Sequence, residues 1–157
     1  MEITENTFID ILGLPEWDDR VIEVLEAVEL KRPIPKKGET DIFLKSEKYG
    51  IELFFDETVT IVEQEKYAES GTLFLDQISF NMNTSLPLPF AIIKEDNYLN
   101  IVEKIGTDAN YLNIPMAENK ASWFFKNINN FSVRLALVFH DDSLEGLNRV
   151  WIRVEEE

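Results

Sequence analysis

The sequence predicts an α+β fold dominated by antiparallel strands, and three observations carry that expectation. Residues 131–140, FSVRLALVFH, alternate at a period of two, with Val133, Leu135, Leu137 and Phe139 on one face and Ser132, Arg134, Ala136, Val138 and His140 on the other. That is the pattern of a half-buried strand. These ten residues span about 33 Å at roughly 3.3 Å each, long for an edge strand, so the segment is expected inside the sheet. The second observation is an apolar stripe of Trp17, Val21, Val24, Leu25 and Val28 at helical spacing, the mark of a helix laid on a core. The third is that the two halves of the chain present their elements in the same order.

Taken along the chain, Phe8, Ile11 and Leu12 share helical spacing, and Gly13 with Pro15 stops that helix after a turn or two. Pro15 suits the first position of a second helix over 16–30, whose polar side carries Glu16, Asp18, Asp19, Glu23, Glu26 and Glu29 with Arg20 among them. Lys31 and Arg32 follow, and acids early with bases late fit the helix dipole. Residues 31–38, KRPIPKKG, read as an extended connector. Strands are expected at 41–45 and 51–55 around a turn at 46–50. A third is expected at 73–80, with Leu73, Leu75, Gln77 and Ser79 facing away from Phe74, Asp76, Ile78 and Phe80. Residues 58–62 favour an extended form.

The proline-bearing crossing 81–89 leads to a helix at 96–105, with Asp96 as N-cap, Leu99, Val102 and Ile105 inward and Gly106 as its stop. Residues 107–120 read as a loop. The aromatic strand 122–126, a turn at 127–130 rich in asparagine, the strand 131–140, a turn at 141–146 and a last strand Leu147–Val154 form a three-strand meander. DIFL at 41–44 answers SWFF at 122–125, GIELFFDE at 50–57 answers RLALVFHDD at 134–142, and LDQISFN at 75–81 answers LNRVWIRV at 147–154. Two helix-plus-meander units, about 1–81 and 82–157, are therefore expected to join into one sheet with helices packed on one face.

The 157 residues suit a single domain, and their 45% hydrophobic content suffices for one core. Thirty acidic residues against fifteen basic ones leave a net charge of −15. The imbalance is steepest in residues 1–80, with 19 acids and 8 bases, against 11 and 7 in the remainder. Such a field repels nucleic-acid backbones and attracts a basic protein. Cysteine is absent, which excludes disulfides, thiolate metal sites and a cysteine nucleophile. The first residues carry acids where a signal peptide needs bases, and no apolar run reaches the eighteen or so residues that span a bilayer. The expectation is a cytoplasmic chain with no membrane partner.

Catalytic signals are weak. The sequence lacks a G-x-S-x-G elbow, a phosphate-binding glycine loop and an H-E-x-x-H pair. Its one histidine stands in His140-Asp141-Asp142, at a strand-to-turn junction where aspartates ordinarily serve the turn. No enzyme activity, metal or cofactor is expected. Arg149, Trp151 and Arg153 share one face of the last strand, opposite Val150, Ile152 and Val154, and form either a binding strip or an internal cation–π ladder.

The opening ILGLP with its acidic helix, the LPLPF crossing at 86–90, the helix closed by IG at 105–106 and the paired meanders resemble small bacterial immunity proteins of the pyocin and contact-dependent-inhibition type. The tandem helix-plus-sheet order also resembles the architecture of β-lactamase-inhibitory proteins. The resemblance implies a cytosolic antitoxin that binds a cognate, basic toxin and occludes its active site. The residues expected to meet the partner are Glu16, Asp18, Asp19, Glu23, Glu26, Asp56, Glu57, Glu63 and Glu65, with Arg149, Trp151 and Arg153 as the alternative face. An adaptor in a secretion system and a hydrolase are the competing expectations.

Overall fold

The fold, seen in a computed structural model that describes residues 2–57, 71–113, 119–141 and 143–155, is α+β. Its seven strands are β1 (Asp41–Ser46), β2 (Ile51–Asp56), β3 (Phe74–Phe80), β4 (Tyr111–Asn113), β5 (Lys120–Lys126), β6 (Ser132–Phe139) and β7 (Leu147–Val154). All pair antiparallel in one open sheet of order β1-β2-β3-β7-β6-β5-β4. Among the described residues there are three α-helices, α1 (Thr7–Ile11), α2 (Asp19–Ala27) and α3 (Tyr98–Ile105). The expected extended stretch 58–62, with Glu63, Glu65 and Asp142, lies outside the described residues.

The strand β6 lies between β5 and β7, as its length and alternation require. Cross-strand register aligns Leu53, Ile78, Ile152, Leu135 and Trp123 in one row and Ile51, Phe80, Val150, Leu137 and Ala121 in the next. All ten are buried. They form the core with Phe8 of α1, Val21, Val24 and Leu25 of α2, and Ile101 of α3. The Phe8 ring meets the Phe80 ring edge-on at 5.2 Å, and Tyr98 packs on Trp123 at 6.0 Å, contacts that add orientation to burial.

The N-terminal segment departs from the expected course. Gly13 ends the first helix at φ 87°, and a Cβ there would stand 2.5 Å from the Phe131 ring, so only glycine fits. The chain then straightens along β3. The Gly13 amide donates to the Leu75 carbonyl at 2.8 Å, the Leu75 amide to the Leu14 carbonyl at 2.9 Å, and the Glu16 amide to the Leu73 carbonyl at 2.9 Å. Pro15 thus faces Phe74 in a short β-bridge instead of opening a helix; the bonds are made by its neighbours, so its missing N–H costs nothing there. The second helix starts only at Asp19, where the Asp18 carboxylate accepts from the Arg20 amide at 2.9 Å and caps it. Trp17, expected in the buried stripe, precedes the helix and is 38% exposed.

Three further expectations are corrected. A bulge between Phe54 and Phe55 shifts the β2–β3 register, so Phe74 and Leu75 are both buried and the simple alternation over 73–80 breaks. The N-cap of α3 is Asn97, which forms a reciprocal capping box with Asn100 (2.8 and 3.1 Å). Asp96 is instead buried, accepting from the Ile93 amide at 3.0 Å and from Lys104 Nζ at 2.6 Å. Of the residues expected inward, Val102 and Ile105 pack partly buried against the core, whereas Leu99 is 74% exposed and Ile101 is the buried residue of the helix. Finally, β4 occupies part of the expected loop, pairing Tyr111 with Ser122 and Leu112 with Ala121.

The turn between β5 and β6 fastens α1 to the second meander. Asn127, only 7% exposed, donates from Nδ2 to the carbonyls of Ile9 (2.9 Å) and Leu12 (3.0 Å). Its Oδ1 accepts from the amides of Asn129 (3.0 Å) and Phe131 (3.1 Å). One side chain thereby partners the Leu12 carbonyl, adds a second donor to the Ile9 carbonyl, which also accepts the Leu12 amide at 3.4 Å, and shapes the turn.

Candidate partner-binding site

The helix α2 buries Val21, Val24 and Leu25 and turns Asp19, Glu23 and Glu26 to solvent. These three acids follow one another at spacings of four and three residues, so they form a single row along the exposed side. None of them makes an ion pair among the described residues. Like charges in one row repel, and a cation placed between them relieves that repulsion.

The other carboxylates expected on this face have different tasks. Glu16 is 4% exposed because its backbone is held against β3. Its Oε1 lies 3.6 Å from Arg32 Nη2, while its Oε2 is buried without a hydrogen-bond partner. Burial pushes the Glu16 carboxyl up from the ordinary glutamate range, with the Arg32 charge opposing the shift. Glu16 is therefore not a contact residue on the surface. Asp18 caps α2 and is gripped by Arg20 through Nε and Nη2, both at 3.1 Å. Burial pulls the Asp18 carboxyl up, yet the bonds from Arg20 outweigh it and hold the carboxyl below its usual value. Glu29 pairs with Lys48 at 2.6 Å.

Asp56 and Glu57 stand at the end of β2 beside the edge strand, Asp41 being opposite Asp56. Lys48, which meets Glu29 just past α2, belongs to the turn at the other end of that hairpin. The length of β2, about 20 Å at the usual rise, separates the two sites. Of the expected acids among the described residues, the fold brings Asp19, Glu23 and Glu26 together and sets Asp56 and Glu57 apart from them.

The alternative face lies on β7. Val150, Ile152 and Val154 are buried, and Arg149, Trp151 and Arg153 point to the opposite side of the sheet, as the alternation predicts. Only one of the two guanidiniums lies over the indole. Arg153 Cζ is 5.2 Å from the Trp151 ring centroid, whereas Arg149 Nε turns to Ser79 Oγ at 3.1 Å. The second cation on the indole is Lys120, whose Nζ is 4.6 Å from the centroid. Sequence reasoning missed Lys120 because its proximity depends on the register of β5, β6 and β7, which sets Lys120 beside Val138 and Val138 beside Arg149. Glu155 binds both Arg153 (3.0 Å) and Arg134 (3.3 Å), and Arg134 also stacks on Phe124 at 4.9 Å. The face is therefore knitted within itself.

At the turn after β6, Asp141 accepts hydrogen bonds from the Ser143 amide at 3.0 Å and from the Ser143 hydroxyl. The hydroxyl bond is the largest cause holding the Asp141 carboxyl below its ordinary value. Asp141 thus serves the turn, and His140 beside it is exposed. Among the described residues, no helix is long and apolar enough to cross a membrane. Comparison of the chain with protein-family models, curated proteins and solved structures returned no match.

Proposed function

We propose that the protein is a cytosolic immunity protein that binds and neutralises a basic protein toxin, with the acidic row of α2 as the first point of contact. The observation that carries this reading is the exposed row Asp19, Glu23 and Glu26, unpaired among the described residues on a helix whose other side is buried. In a chain of net charge −15, that row sits where a cationic cleft built for phosphate would be drawn in and blocked by carboxylates. The protein acts by occupancy rather than chemistry.

The architecture assigned to this function is a repeated one. The two meanders, β1-β2-β3 and β5-β6-β7, are read as two copies of one plan whose third strands meet at the centre of the sheet. The strand order supports this, since β3 and β7 are neighbours. Packing of α1 and α3 on one face is supported by the rings of Phe8 and Tyr98, which meet Phe80 and Trp123. Such a layout leaves the solvent side of α2 free for a partner.

The functional test is co-expression. The product of the adjacent open reading frame should arrest growth when expressed alone, and this chain should restore growth and co-purify with that product in a stoichiometric complex. Arrest that persists despite abundant folded chain, or two proteins that elute apart, would remove the antitoxin reading.

A further inference from the structure

The β1 edge of the described sheet carries a second, independent binding signal. Among the described residues β1 pairs with β2 only, and its central side chain, Phe43, is 57% exposed. Thr40 lies opposite Glu57, and its carbonyl accepts the Glu57 amide at 3.1 Å. Backbone groups alternate sides along a strand, so those of Ile42, Leu44 and Ser46 face β2 while those of Asp41, Phe43 and Lys45 face outward. Among the described residues no strand takes up these outward groups, so the edge offers three N–H and three C=O groups, a template for another strand.

The geometry points to a second copy of this chain as the occupant, joined β1 to β1 about a twofold axis through Phe43. An antiparallel copy centred there sets Phe43 opposite Phe43 of the second copy, and Ile42 opposite Leu44. Asp41 falls opposite Lys45 at both ends. The three outward-facing residues of each copy then face those of the other, so every free backbone group finds a partner. A slip by one residue sets outward-facing groups against inward-facing ones and makes no such bonds. A slip by two in one direction brings Asp41 against Glu47, a like-charge pair. In the other direction it strands Asp41 against Phe43. Charge complementarity thus selects one register and one partner. Asp41 and Lys45 guard the edge against foreign neutral strands, and in its own antiparallel image Asp41 meets Lys45, a cation that within its own copy lies 3.8 Å from Glu52 and 4.0 Å from Glu47. Isologous pairing of this kind closes at two copies, so it yields a dimer and not a filament. The inference rests on β1 and is independent of the toxin-binding reading.

The experiment is sedimentation velocity on the full chain across a concentration series. It is run at about 0.3 M salt, where a Debye length of roughly 6 Å screens repulsion between two acidic chains. The mass should double with rising concentration. Asp41→Lys and Lys45→Asp, each of which turns both end pairs into like-charge pairs, should weaken the dimer about tenfold. The double variant, which restores opposite charges across the axis, should return to within about threefold of the native affinity. Circular dichroism checks that each variant keeps its fold. A chain that stays monomeric to about 1 mM, a dimer unaffected by the single reversals, or a double variant that stays as weak as the singles would each overturn the proposal.

Discussion

Replacing Asn127 should be among the most costly single changes in the molecule, although asparagines in turns are usually dispensable. Its side chain makes four hydrogen bonds, two to the carbonyls of Ile9 and Leu12 and two from the amides of Asn129 and Phe131. Asn127→Ala leaves four backbone groups without that partner in a site that is nearly closed to water. Each net bond is worth about 1 kcal/mol and a buried orphan costs somewhat more, but water entering the vacated space recovers part, so a loss of about 2–4 kcal/mol is expected. Asn127→Asp is the sharper variant. It keeps the shape and the two accepted bonds but turns a donor into an acceptor that faces two carbonyls, so at neutral pH it should cost at least as much as alanine. Its loss should shrink as the solution is acidified, because the protonated carboxyl can donate again. The assay is urea unfolding, read as a lower midpoint at unchanged slope. A loss below about 1 kcal/mol for both variants would show that the turn does not anchor α1.

Two other predictions concern the core and the buried carboxylate. Leu135→Ala removes a side chain buried in the central row of the sheet and should cost about 2–5 kcal/mol by the same assay, whereas a cost under about 1 kcal/mol would place Leu135 on the wrong face. Glu16 titrates above its ordinary value of 4.5 in the folded chain, so in the window between that value and its raised folded value the native state binds the extra proton. Stability contributed by this group therefore rises as pH falls through the window and levels off below it. Glu16→Gln should abolish this slope and be neutral to stabilising at pH 7; a difference from the native chain that does not vary between about pH 4 and 8 would refute it.

The strands were largely legible because alternation is a local signal. β6 and β7 follow from period two alone, and Gly106 marks the end of α3 by its φ of 97°. What could not be read depends on contacts between distant residues. The pairing of residues 13–16 with β3 decides that Pro15 opens no helix and that Glu16 is buried, and nothing within 13–16 announces a partner near residue 74. Asp96 and Asn97 are both good caps, and the choice falls to Asn97 because Lys104 and the Ile93 amide already engage Asp96. The same division holds at the site. Helical spacing placed Asp19, Glu23 and Glu26 correctly on the exposed side, whereas the recruitment of Asp18 to Arg20 and of Arg149 to Ser79 required coordinates.

The proposed immunity function assigns partner contact to the α2 face, and titration calorimetry against the adjacent gene product measures that directly. Reversal of Asp19, Glu23 and Glu26 to lysine should weaken binding by about 3 kcal/mol or more, roughly a hundredfold in Kd, with the fold intact because all three residues are exposed. Trp151→Ala, which removes an indole already flanked by Lys120 and Arg153, should lower the melting temperature and leave Kd within about threefold. If the triple reversal binds like the native chain while a folded Trp151→Ala protein does not bind, recognition belongs to the β7 face and the α2 reading is wrong.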